Sequence, residues 1–159
     1  MKRFLLDTNL LLGFVRQAPW AIQARAEFNL ADPDVMVYTS VICQGEILAL
    51  AEKNGWGSTR RTRLDKVLDE VPTLGIGNRR ILEAYARIDA WTHGNPVNSP
   101  RNAPPPRQAV PMKQNDIWVA ATAHASGSAL LSTDKDFAHL DDVWFDFTWI
   151  DQKRRVLPD

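Results

Sequence analysis

Apolar residues in this chain fall into short unbroken runs and longer helically spaced stretches, and the two alternate from one end to the other. The first run, within residues 3–6, reads as a strand buried on both faces, because strands of a covered parallel sheet show no polar alternation. Asp7-Thr8-Asn9 then turns the chain into a helix. Residues 20–30 carry Ala21, Ile22, Ala24, Ala26 and Phe28 and predict a helix that ends at Asp32-Pro33-Asp34. A second strand is expected over 35–38, and Thr39 and Ser40 are N-cap candidates for a helix over 41–53 that stops at Asn54-Gly55.

The next stretch, 59–70, is a polar amphipathic helix with Leu64, Val67, Leu68 and Val71 at helical spacing. With the preceding helix it is expected to form a protruding hairpin over about 41–70. After Pro72 a weak strand is expected over 73–76, then a helix capped by Asn78 and running to about 91, with Ile81, Leu82, Tyr85, Ala86 and Ile88 as its apolar stripe. The segment 94–112 is too rich in proline for a helix or a central strand, and a connection that long in a small domain is either functional or disordered. Order resumes with Asn115 as the N-cap of an Ala-rich helix to 125, closed by Ser126-Gly127, followed by a buried strand over 129–133 and an aromatic final strand over 143–150. Strands alternating with helices predict an α/β fold with a mostly parallel sheet, and the length suits one domain over 1–159.

Composition is that of an ordinary globular chain, with 45% hydrophobic and 24% charged residues. No apolar run approaches the roughly 20 residues that span a bilayer, so no membrane association is expected. The N-terminal apolar stretch is too short for a signal peptide, which makes the cytoplasm the expected location. A single cysteine, Cys43, allows neither an internal disulfide nor a cysteine-rich zinc site. The 19 basic and 19 acidic residues cancel, so no global field draws the chain to a polyanion, and any such partner must be held locally. Basic residues do gather at Arg60, Arg61, Arg63 and Lys66, at Arg79 and Arg80, and at Lys153, Arg154 and Arg155.

Four acids stand where strand gives way to helix: Asp7, Glu46, Asp116 and Asp134. Parallel strands all end on one edge of the sheet, so these acids should converge in the crevice where such folds bind ligands. Taken singly, each has a plainer explanation. Asp7 can cap a helix, Glu46 can face solvent, and Asp116 in a first helical turn gains about 0.3–1 kcal/mol from the helix dipole. Independent capping does not require all four to occupy equivalent places, and a shared pocket does. Crowded carboxylates call for a divalent cation, and oxygen-only ligands select Mg²⁺ or Mn²⁺. One or two such ions can activate water and neutralise a scissile phosphodiester without a protein nucleophile. Thr8 and Asn9 are placed to position water or phosphate, and Asp136 to cap or to hold a neighbouring group. His93, His124 and His139 are widely separated and read as surface or packing residues, and Cys43 as a small buried hydrophobe.

The motifs Leu6-Asp7-Thr8-Asn9, a mid-helix Glu46, Asn115-Asp116-Ile117-Trp118-Val119-Ala120-Ala121 and Thr133-Asp134-Lys135-Asp136-Phe137, in this order, resemble the PIN-domain family, and within it the VapC toxins. The resemblance covers almost the whole chain. It implies a three-layer α/β/α sandwich, an Mg²⁺- or Mn²⁺-dependent endoribonuclease, a cognate antitoxin as partner, and a homodimer. It also implies that Asp7, Glu46, Asp116 and Asp134 hold the metal, with Thr8, Asn9 and Thr133 as supporting polar groups. Between Asp134 and Asp136 the resemblance leaves the fourth ligand open. The expected substrate is RNA, with the antitoxin contact on an exposed apolar patch around Trp56. Two other readings fit less of the pattern. A non-catalytic module that binds RNA or protein would not need the full acid set, and a phosphotransferase of the haloacid dehalogenase type wants Asp-x-Asp where this chain has Asp7-Thr8-Asn9.

Overall fold

In the computed structural model, which describes residues 1–153, the run Phe4-Leu5-Leu6 lies at the centre of the sheet. Strand β1 (Lys2–Leu6) pairs in parallel with β2 (Val35–Ser40) on one side, Leu6 opposite Thr39, and with β4 (Ala129–Ser132) on the other, Leu6 opposite Leu131. Having neighbours on both sides and helices above and below explains why Leu5, Leu6, Leu130 and Leu131 are fully buried, each contributing about 1.5–3 kcal/mol by leaving water. The short strands β3 (Thr73–Leu74) and β5 (Phe147–Trp149) form the edges, so the order is β3-β2-β1-β4-β5 and every pairing is parallel.

Helices α1 (Thr8–Val15), α2 (Pro19–Glu27), α3 (Val41–Lys53), α4 (Ser58–Glu70), α5 (Arg79–Thr92) and α6 (Gln114–Ser126) cover the two faces, giving the expected three layers. The caps follow from the sequence. Ser40 Oγ accepts from the Ile42 N–H at the start of α3, Asn78 Oδ1 accepts from the Ile81 N–H at the start of α5, and Gly127 closes α6 in the left-handed region at φ 65°. From β1 the chain first builds outward through β2 to β3, then returns across the sheet to β4 and β5. The order therefore reverses between β1 and β4, and the crevice beyond their C-terminal ends is where an open α/β sheet binds ligands.

Several expectations are corrected. Helix α6 begins at Gln114 with Lys113 in the cap position and no side-chain cap, so Asn115 sits inside the first turn instead of before it. The edge strands are shorter than the apolar runs suggested, because residues beyond Leu74 and before Phe147 have no strand to pair with. A 3₁₀ helix, Lys135–Leu140, follows β4. The buried stripe of α5 is Ile81, Ala84, Ile88 and Trp91, leaving Leu82 and Ala86 exposed. Helix α4 packs on α1, with Leu64 buried, instead of protruding. Trp56, expected on the surface, is 6% exposed: Gly55 at φ 58° turns the chain back, the Trp56 N–H donates to Ala51 O at 3.0 Å, and the indole enters the core with the Arg60 guanidinium over it. Arg154 and Arg155 of the last basic cluster lie outside the described residues.

The proline-rich segment is ordered by side chains that reach into it. The Thr92 hydroxyl donates to Val110 O at 2.9 Å and accepts from His139 Nε2 at 2.7 Å, and the Trp91 indole N–H donates to Ala103 O at 3.3 Å. Arg101 pairs with Asp142 and with Asp146. These contacts deliver the chain at a fixed angle to Lys113 and the first turn of α6. Among the described residues no helix is long and apolar enough to cross a membrane.

Candidate metal centre

Asp7 follows β1 directly, and its carboxylate is 7% exposed. Its Oδ1 accepts from the Thr8 N–H at 2.8 Å and from the Cys43 thiol at 3.6 Å, and its Oδ2 accepts from the Ser132 hydroxyl at 2.7 Å. Asp7 thus caps α1 and presents a fixed carboxylate at the sheet edge, so the two explanations open in the sequence coexist. Burial pushes its carboxyl above the ordinary range. The Ser132, Thr8 and Cys43 hydrogen bonds oppose that rise, and the charge of Asp134 adds to it. Cys43 is itself buried, and burial with the Asp7 charge pushes its thiol up to about 12, so it stays protonated and donates to the carboxylate.

Glu46 lies in the second turn of α3, half-buried at the core boundary, and its Oε1 accepts from the Thr8 hydroxyl at 3.2 Å. Its carboxyl is raised by burial and by Asp7, with Thr8 and Lys113 acting against the rise. Asp116 occupies the first turn of α6, whose N-terminus lies at the same sheet edge because the helix runs back against β4. Asp134 and Asp136 follow β4. Oxygens of Asp116, Asp134 and Asp136 all come within 4.8 Å of one another. The Asp136 N–H donates to Asp134 Oδ1 at 2.9 Å and the Asp134 N–H to Ser132 Oγ at 3.0 Å, which fixes the turn that carries both acids. The Asn9 amide donates to Thr133 Oγ1 at 2.9 Å, tying α1 to that turn.

Asp116 shows most clearly what this crowding does. Burial, then the charges of Asp7, Asp134, Asp136 and Glu46, push its carboxyl from the ordinary 3.8 up to about 7. Its Oδ2 is buried and has no hydrogen-bond partner among the described residues. A buried carboxylate oxygen left unpaired is costly, and it is worse among like charges. A divalent cation relieves both conditions, and an all-oxygen donor set suits Mg²⁺ or Mn²⁺.

All the acids singled out in the sequence are therefore at one edge. Asp7, Glu46 and Asp134 line a cleft of about 700 Å³ with Thr8 and Asn9, and Asp116 and Asp136 join them through Asp134. Sequence reasoning missed Ser132, which is fully buried and links Asp7 to the Asp134 turn. Only the register reveals it: Leu6 opposite Leu131 puts the next residues, Asp7 and Ser132, side by side. It also missed Lys53 and Lys113, which line the same cleft at its rim. Lys53 is seven residues beyond Glu46 on α3, roughly 10 Å along the helix and on the same face.

A second groove, of about 580 Å³, is lined by none of Asp7, Glu46, Asp116, Asp134 and Asp136, and it includes Glu70, which pairs with Arg25 at 4.0 Å. Phe14, Ile22, Leu30, Val37 and Val67 give it an apolar lining, and Arg25, Arg63 and Lys66 contribute basic groups.

The family profile described as the PIN domain matches residues 4–143. No curated protein sequence matches the chain. Among solved structures, VapBC2 from Rickettsia felis bound to a DNA fragment from its promoter is similar at a TM-score of 0.70 and 14% identity, over 94% of this chain and 99% of that one. VapBC-1 from nontypeable Haemophilus influenzae is similar at a TM-score of 0.64 and 19% identity, over 92% of this chain and 97% of that one. VapBC-5 from Mycobacterium tuberculosis, a member of a family of toxin-antitoxin systems, is similar at 0.58 and 22% identity, over 94% and 100%.

Proposed function

The chain belongs to the PIN domain family, and from that premise we propose that it is a Mg²⁺- or Mn²⁺-dependent endoribonuclease, the toxin of a toxin-antitoxin pair. The observation that carries the nuclease reading is Asp116, a half-buried carboxyl with an unpartnered oxygen inside a cluster of acids. Asp7, Glu46, Asp116 and Asp134 would hold the cation, with Asp136 beside them. A bound divalent ion supplies a Lewis acid that lowers the pKa of water and offsets the charge gathered on a phosphoryl group. The chain's own groups do the rest. Ser132, the Thr8 N–H and Cys43 keep Asp7 in one orientation, and Thr8 does the same for Glu46. Lys53 and Lys113 lie at the cleft rim, where ammonium groups attract the phosphates on either side of the cut, a local substitute for the net charge the chain lacks.

We read residues 1–159 as one nuclease domain, a reading supported by a core that runs without a break from Phe4 to Ile150. The antitoxin is a proposal supported by the VapBC likenesses and by the apolar groove against α1 and α4. The apolar lining of that groove, with Arg63 and Lys66 beside the Arg25–Glu70 pair, suits a partner segment with one apolar face and an acidic flank. It replaces the neighbourhood of Trp56, which is buried. A homodimer and a cytoplasmic location remain part of the proposal on the strength of the family resemblance.

The chemistry has a product signature. If water is the nucleophile, fragments end in phosphate monoesters and hydroxyls, and no 2′,3′-cyclic phosphate forms. Treating purified protein with RNA in Mg²⁺ and resolving the fragment ends by mass spectrometry checks this. Accumulation of cyclic phosphate would mean that the ribose 2′-hydroxyl attacks, and would sink the hydrolytic reading.

A further inference from the structure

Of the six tryptophans, Trp149 alone is an exposed large hydrophobic, at 40%. It ends β5 at the same sheet edge as the acids. Its indole N–H donates to Thr133 O at 2.9 Å, the carbonyl immediately before Asp134, so the ring plane is held in place. The register pairs Trp149 with Ser132, the residue that bonds Asp7, and in-register neighbours of a parallel sheet face the same side. Two strand spacings, about 10 Å, therefore separate the Trp149 backbone from that of Asp7. The Lys135 ammonium lies over the indole ring, 4.1 Å from its centroid, in a cation–π contact. Lys135 lies between the two acids of the last motif and is itself exposed. Trp149 lies beyond the residues 4–143 that the family profile matches.

An exposed indole, oriented by a hydrogen bond and attended by a cation, one strand away from the turn that carries Asp134 and Asp136, has the parts of a nucleotide subsite. Unpaired bases bind proteins by stacking on aromatic faces while basic groups track the backbone, and a base inside a duplex cannot present its face in that way. We propose that Trp149 and Lys135 form a subsite for an unpaired nucleotide flanking the cut, its base replacing the Lys135 ammonium over the indole and its phosphate taken by that ammonium as it swings off the ring. This rests on the nuclease reading above and adds to it two residues outside the acid cluster that hold the nucleotide next to the cut.

The test separates the two. Cleavage is removed by placing every variant in an Asp116→Asn background, and binding of a short unstructured fluorescein-labelled oligoribonucleotide is followed by anisotropy. Trp149→Ala raises Kd roughly tenfold, whereas Trp149→Phe, which keeps an aromatic face but loses the N–H bond to Thr133, stays within about threefold. Lys135→Ala weakens binding and lowers the slope of log Kd against log salt by about 0.7. Annealing the oligonucleotide to its complement removes the difference between Trp149→Ala and its parent. Equal Kd for Trp149→Ala and its parent overturns the proposal. So does a Phe variant as weak as Ala, since that result assigns Trp149 to holding the Asp134 turn. Failure of the nuclease reading shows separately, as absent cleavage by the chain with Asp116 intact.

Discussion

Replacing Asp116 by Asn is expected to lower Mg²⁺-dependent RNA cleavage by at least about 100-fold while leaving the fold intact, because even groups that only support a metal ligand cost 10- to 100-fold when lost. The same substitution should raise the melting temperature of the protein in EDTA at pH 8. There the parent holds an unpartnered carboxylate oxygen close to Asp134 and Asp136, and Asn is a neutral isostere whose amide N–H can donate to those acids. Opposite signs for activity and stability distinguish a functional acid from a structural one. Cleavage rate and thermal melting in EDTA are the measurements. A variant that cleaves at the parental rate, or melts lower than the parent, contradicts the role given to Asp116.

The metal-free protein should lose stability as pH rises from about 4 to about 7. In the folded chain the Asp116 carboxyl is pushed from 3.8 up to about 7, by burial first and by Asp7, Asp134, Asp136 and Glu46 after it. Between those values the folded state keeps a proton that the unfolded chain has released. The stability carried by that proton is complete below the lower value and gone above the upper one. Asp7 and Glu46 move in the same direction and deepen the loss. Magnesium reverses the trend, since it competes with protons for the same oxygens. Its stabilisation should be small at pH 5 and, at a hundredfold excess over its dissociation constant at pH 8, raise the melting temperature by roughly 5–10 °C. Melts at both pH values with Mg²⁺ and with EDTA decide this. A shift that is absent at pH 8, or larger at pH 5, removes the case for a carboxylate-held cation.

Much of this was legible in the residues because parallel α/β folds turn sequence position into spatial position. An acid after an apolar run must lie at the C-terminal edge of the sheet, so Asp7 and Asp134 could be placed together before any coordinates, and Asp116 followed from the helix that returns to β4. The choice between Asp134 and Asp136 could not be made from spacing. The turn held by Ser132 brings both near Asp116. Ser132 itself was illegible: its significance comes from lying beside Asp7 across a strand pair, and a lone serine in a buried run carries no such signal.

The tryptophans show the limit most sharply. Trp56 between two glycines looked exposed, yet one of them, Gly55 at φ 58°, permits the turn that folds its ring inward. Trp149 sits in an aromatic run that reads as core, yet it lies on an edge strand three residues long and faces solvent. Exposure depends on what packs over a residue from elsewhere in the chain, and local pattern does not contain that. Lys113 was passed over for a related reason. It looked like one charge before a motif, and becomes part of the site only because the proline-rich segment, pinned through Thr92 and Trp91, brings it to the cleft rim.

The central claim is that acids from separate elements form one cation-dependent site for cutting RNA. Incubating the purified protein with RNA in Mg²⁺, then with EDTA, then with Mn²⁺ restored, tests it most directly. The account predicts fragments in Mg²⁺, none in EDTA, and their return with Mn²⁺. Intact RNA under all three conditions, or cleavage that EDTA leaves undiminished, would contradict it.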